Sequence, residues 1–138
     1  MSEPLRPGAK GEISLCVAEQ HTAQHLGSGS VRVLATPHMV LLMEQASVAA
    51  VDHLLPDGYC TVGAHLDVSH LAPTPQGFEV RAIAELIQVD GRRLTFRVQV
   101  FEAPFGEGQL VGDGIHQRAI INLKRFGDRV AHKAASAS

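Results

Sequence analysis

The segment from Thr36 to Leu54 restricts the fold more than any other part of the chain. Met39, Leu42, Met43, Ala46, Ala50 and Leu54 recur at three- and four-residue spacing, the signature of one apolar helix face. Val40, Val48 and Val51 widen that face, so this helix is expected to be largely buried. Thr36-Pro37 reads as its start, with the threonine hydroxyl at the N-cap and proline in the first helical position. Pro56, Asp57 and Gly58 stop it.

After Gly58 the hydrophobic period becomes two and stays there. The strand Tyr59–Leu71 alternates Val62, Ala64, Leu66 and Val68 against Gly63, His65, Asp67 and Ser69. A turn at Thr74–Gly77 leads into Phe78–Val89, and Asp90-Gly91 is a strong hairpin signal. Leu94–Phe101 follows, a turn spans Ala103–Gly108, and Gln109–Leu123 is the last strand. Upstream of the helix, Ile13, Leu15 and Val17 alternate in a first strand from Gly11 to Val17. The stretch 18–35, with its Gly/Ser cluster, reads as an irregular excursion over the surface.

A single helix that is apolar over most of its girth has to be wrapped by a curved sheet. Strand, long helix and then four antiparallel strands predict an α+β hotdog arrangement, one central helix wrapped by a five- to six-stranded antiparallel sheet. The 138 residues suffice for one domain over 1–138, with 1–10 and 130–138 expected to be flexible.

Charge narrows the range of partners. The net charge is −2 and no Lys/Arg run occurs, so nucleic acid and anionic membrane surfaces are not expected partners. No apolar run approaches the roughly 18 residues of a membrane span, and the start, MSEPLRPGAKGE, lacks the apolar core of a secretory signal. A cytoplasmic location is expected. Cys16 and Cys60 lie in apolar contexts and read as buried free thiols. Neither HExxH nor Cx₂C spacing occurs, which disfavours a metal, and no phosphate-loop, dinucleotide or GxSxG motif is present.

Three residues stand out for chemistry. Glu44 is the only charged residue between Pro37 and Asp52, and a carboxylate in an apolar helix needs a partner or a polar cleft. It can be read as a satisfied core carboxylate or as a functional one. Thr36 can be no more than a helix cap, although a cap hydroxyl also sits at the positive end of the helix. Eight residues separate the two, about 12 Å of helical rise, so they do not touch on the helix itself. His70 falls on the strand face opposite His65 and Asp67; it is structural or a general acid/base suited to neutral pH.

The runs ATPHMVLLMEQASVAAV, TVGAHLDVSHLAPTPQG, VDGRRLTFRVQV and GDGIHQRAIINLKRF together resemble the fluoroacetyl-CoA thioesterase family of hotdog proteins, over about Gly11 to Val130. The resemblance implies a Thr36/Glu44/His70 catalytic set at the interface of a homodimer that hydrolyses an acyl-CoA. It also implies that the helix start at Pro37 and His38 polarises the thioester carbonyl. Gly63 would bring backbone close to the acyl group, and Arg118 would lie near substrate or coenzyme A. No metal is implied, and no cofactor beyond coenzyme A as part of the substrate. Between His25 and Thr36 the family's aromatic lid residues are replaced by LGSGSVRVL, so a small or medium acyl group is expected rather than fluoroacetyl specifically. Glu44 would act as nucleophile or as general base for water. A binding module for an acyl-CoA or small acid, and a hotdog acyl-CoA hydratase, are the competing readings.

Overall fold

A computed structural model describes residues 5–105 and 109–137. Its elements are β1 (Lys10–Cys16), α1 (Ala23–Leu26), α2 (Thr36–Val51), β2 (Tyr59–His70), β3 (Glu79–Asp90), β4 (Arg93–Glu102), β5 (Leu110–Asn122) and α3 (Leu123–Ser136). The five strands form one antiparallel sheet in the order β1-β3-β4-β5-β2. The architecture is the expected α+β hotdog. The turn expected over Ala103–Gly108 is followed as far as Phe105, and 106–108 lie outside the described residues.

The core lies between α2 and the concave face of the sheet. Met39, Leu42, Met43, Ala46, Ala50 and Val51 of the helix pack on Val80, Ala82, Ala84 and Leu86 of β3 and on Leu94, Phe96, Val98 and Val100 of β4. The period-two apolar residues of β3 and β4 are therefore the inner face that the alternation predicts. Glycines let the helix come close. A Cβ on Gly11 of β1 would stand 2.1 Å from the Ala46 carbonyl oxygen, and one on Gly112 of β5 2.5 Å from the Met39 sulfur.

The structure corrects several expectations. The helix is buried on its inner half only: Leu41 and Val48 are 41% and 36% exposed, because one sheet covers one side of a cylinder. The excursion over 18–35 is ordered by a 3₁₀ turn at Glu19–His21 and by α1, which Thr22 caps and Gly27 ends in the left-handed region at φ 74°. Cys16 is exposed and Cys60 partly so, and both are free thiols. Beyond β5, where no element was expected, α3 runs to Ser136 with Asn122 as its cap, accepting from the Arg125 amide. Among the described residues no helix is long and apolar enough to cross a membrane.

The most consequential departure is in β2. Its pairing with β5 shifts between Gly63 and His65, leaving Ala64 as a bulge. Directly opposed residues in an antiparallel ladder share a face. Gly63 faces Arg118, Leu66 faces His116 and His70 faces Gly112. Tyr59, Thr61 and Gly63 before the bulge thus share the helix side with Leu66, Val68 and His70 after it. Strict alternation would have put Gly63 and His70 on opposite faces.

Candidate active site

The N-cap of α2 is Ala35, one residue earlier than expected, and its methyl makes no cap hydrogen bond. Thr36 is therefore already helical, and its hydroxyl is released from capping. It pairs instead with His70, Oγ1 to Nδ1 at 2.7 Å, joining the helix start to the end of β2. Burial holds the His70 pKa below its ordinary value of 6.5, against a smaller opposing effect of the Ala72 backbone. The lowered pKa favours the neutral imidazole at pH 7; with the ring proton on Nε2 the hydroxyl donates to Nδ1, and with it on Nδ1 the ring donates to Oγ1. His38, in the first turn of the helix, is lowered too, by burial first and then by His21, whose ring lies 4.4 Å away. Pro37 has no N–H to offer, so among Pro37 and His38 only the His38 amide can polarise a carbonyl. Thr36 and His70 open onto a cleft of about 380 Å³ walled by Val31, Val33, Leu34 and Leu71.

Glu44 lies on the outer stripe of α2 between Leu41 and Val48. Its Oε2 stands 3.6 Å from Nη1 of Arg118, and the carboxylate is 37% exposed against 7% for the arginine. The carboxylate therefore reaches solvent while its partner does not. Arg118 is fixed on every side. Its Nε donates to Thr61 Oγ1 at 2.8 Å, Nη2 to the Thr61 carbonyl at 3.0 Å and Nη1 to His116 Nε2 at 3.1 Å. Thr61 in turn donates to Asp52 Oδ1 at 2.6 Å. Because the guanidinium only donates, His116 must accept at Nε2 and carry its proton on Nδ1, which donates to the His65 carbonyl at 2.8 Å. Burial, first among its causes, lowers the His116 pKa and keeps the ring neutral. Half-buried Asp52 and the buried Thr61, Arg118 and His116 thus form a hydrogen-bonded chain that ends beside Glu44.

Gly63 completes this second site. A Cβ there would stand 3.1 Å from Glu44 Oε2, so the bare backbone leaves room beside the carboxylate. Glu44, Gly63, Ala64, His65, Leu66 and His116 line a cleft of about 260 Å³. His65 and His116 both border it. The structure therefore brings Thr36 to His70, and Glu44 to Gly63 and Arg118, but in two separate clefts of one chain. Both clefts are lined by β2, one of the two edge strands of the sheet. Among the described residues no group of three His, Cys, Asp or Glu is placed to hold a metal ion.

Comparison with known proteins adds the chemistry. A family model for fluoroacetyl-CoA-specific thioesterase matches residues 17–124. The fluoroacetyl-CoA thioesterase of Streptantibioticus cattleyicolor is 35% identical over 139 residues, 96% of this chain and 97% of that protein. A threonine-to-serine variant of the fluoroacetyl-CoA enzyme in complex with acetyl-CoA superposes with a TM-score of 0.84 at 35% identity, covering 94% of this chain and 98% of that one. A thioesterase superfamily member from Thermus thermophilus superposes with a TM-score of 0.85 at 25% identity, covering 98% of each. The fold and its relatives define a hotdog-fold thioester hydrolase. More narrowly, the chain belongs to the fluoroacetyl-CoA-specific thioesterase family.

Proposed function

We propose that this protein hydrolyses a small or medium acyl-CoA in a site that two copies of the chain build together. The observation that carries the reading is the division of its polar groups. Thr36 with His70, and Glu44 with Arg118, occupy separate clefts, yet both clefts border the same unpaired strand edge. A 12-residue edge strand invites pairing with a second chain. Leu41, Val48 and Leu66, each 36–41% exposed, supply apolar surface around Glu44 for such a contact. Isologous pairing at β2 would carry the Thr36–His70 pair of one protomer toward the Glu44 of the other, twice per dimer.

In that combined cleft Glu44, held 3.6 Å from Arg118, takes a proton from water as the oxygen attacks the thioester carbonyl carbon. With His70 as its Nε2-protonated tautomer, Thr36 donates its hydrogen to Nδ1 and keeps lone pairs free to orient that water. The positive end of α2, with the His38 amide, stabilises the tetrahedral oxyanion. Collapse breaks the carbon–sulfur bond, and the proton held by Glu44 passes to the coenzyme A thiolate. The carboxylic acid and free coenzyme A leave. The smooth LGSGSVRVL segment beside the Thr36 cleft supports a substrate range wider than fluoroacetyl-CoA.

The test is release of coenzyme A from a panel of short and medium acyl-CoAs across pH. Protonated His70 would donate from Nδ1 and reverse its bond to Thr36, so activity requires the neutral ring. The expected result is turnover whose kcat/KM falls on the acid side with a midpoint below 6.5, a limb that His38→Gln retains and His70→Gln lacks. Tight binding of acyl-CoA with no release at any pH would replace the enzyme reading with the binding module.

A further inference from the structure

Half of the chain's 12 Lys and Arg residues lie at the β3–β4 turn (Arg92, Arg93) or on α3 (Lys124, Arg125, Arg129, Lys133), in a protein whose net charge is −2. Three of them, Arg92, Arg125 and Arg129, line one cleft of about 270 Å³ together with Ile121, Asn122 and Asp128. The one carboxylate in the lining is already engaged, Asp128 Oδ2 to Lys124 Nζ at 3.4 Å. Among the described residues none of the three arginines forms an ion pair. Arg125 Nη2 reaches the Tyr59 hydroxyl at 3.4 Å, and Arg129 lies over the Phe126 ring at 5.7 Å. Three guanidiniums face one cleft whose single carboxylate is paired with Lys124, so positive charge is in excess there and a multiply charged anion offsets it.

The location connects this cleft to the one beside Glu44. Tyr59 and Gly63 lie on the same face of β2, four residues or roughly 13 Å apart. Asn122, a residue of the cleft wall, pairs with Tyr59 at the end of the ladder that also holds Arg118 opposite Gly63. A thioester seated at Glu44 whose long, flexible arm runs along this face would bring its far end to the arginines.

We infer that the Arg92/Arg125/Arg129 cleft binds the phosphorylated nucleotide end of the coenzyme A thioester. The inference rests on the acyl-CoA reading of the Glu44 cleft. Guanidinium forks match phosphate oxygens in pairs, and the half-buried rings of Tyr59 and Phe126, which Arg125 and Arg129 approach, offer aromatic surface to an adenine ring.

The experiment combines direct binding with a comparison of two substrates. Adenosine 3′,5′-bisphosphate is titrated into wild type, Arg125→Gln/Arg129→Gln and Arg92→Gln, the last on a different element and so an independent check on local damage to α3. Hydrolysis of acetyl-CoA is then compared with that of the acetyl thioester of N-acetylcysteamine, which carries no nucleotide. The expected result is bisphosphate binding weakened about tenfold for each arginine removed, and a ratio of kcat/KM for acetyl-CoA over the truncated thioester that falls in step. Equal bisphosphate affinity in all three proteins, or an unchanged ratio, overturns the site while leaving the hydrolase intact. Arginine-dependent bisphosphate binding in a protein that turns over neither thioester leaves the site standing and removes the Glu44 mechanism.

Discussion

Glu44→Gln is expected to lower kcat for acyl-CoA hydrolysis at least a hundredfold. The substitution keeps the shape of the side chain and removes its negative charge, so it takes away the proton acceptor without opening a cavity. General base catalysis by a positioned group is worth roughly 10²–10⁴-fold, which sets the scale of the loss. The fold should survive, because Arg118 keeps its bonds to Thr61 and His116 and the amide oxygen of glutamine can still accept from it. Parallel measurement of coenzyme A release and thermal unfolding separates the two effects. A variant within about threefold of wild type would remove Glu44 from the chemistry.

The largest effect on stability is expected at a residue with no functional group. Gly11→Ala puts a methyl 2.1 Å from the Ala46 carbonyl oxygen and 2.5 Å from the Ala50 amide nitrogen. Both are backbone atoms of α2, which no rotamer change can move. The helix must lift away from β1 or β1 must leave the sheet, and either loses packing against the buried face of α2. Overpacking of this kind costs about 3 kcal/mol or more, which for a domain of this size lowers Tm by about 10 °C. A change in Tm under 2 °C would mean that β1 and α2 do not approach so closely.

The elements legible in the sequence are those in which one period runs without interruption. Met39 to Ala50 and the Leu94–Val100 alternation each state their buried face directly, and each is buried as read. The departures come where one residue changes the phase. Nothing in GYCTVGAHLDVSH marks Ala64 as a bulge, because the bulge is set by pairing with β5, yet it decides that Gly63 and His70 share a face. Thr-Pro announces a helix start without saying whether the threonine is the cap or the first helical residue, and that one-residue difference frees the hydroxyl for His70. Leu123, Phe126 and Val130 of α3 carry helical spacing, yet the alternation of β5 runs into the helix and the small residues beyond resemble a tail, so the sequence does not announce it.

The candidate site divides in the same way. Glu44 stands out as a carboxylate in an apolar helix, whereas Thr36 and His70 read equally well as a cap and a structural histidine and are joined to it by the family resemblance. Asp52, Thr61 and His116 could not be singled out, since the bonds that make them a chain to Glu44 join residues as far as 57 positions apart. Only strand register brings them together. The even-numbered positions of β5, His116 and Arg118 among them, were the one available signal, for they share the face that meets the helix.

The claim that most needs testing is that Glu44 of one protomer works with Thr36 and His70 of the other. Glu44→Gln and His70→Gln are prepared separately, each with little activity, then unfolded, mixed in equal amounts and refolded together. If the site is shared, a mixed dimer holds one intact site and one doubly defective site. Random reassortment makes half the dimers mixed, so activity should return to about a quarter of wild type. If each chain carries a complete site of its own, every site in every dimer keeps one defect. The mixture would then be no more active than its parents, and the shared site would be contradicted.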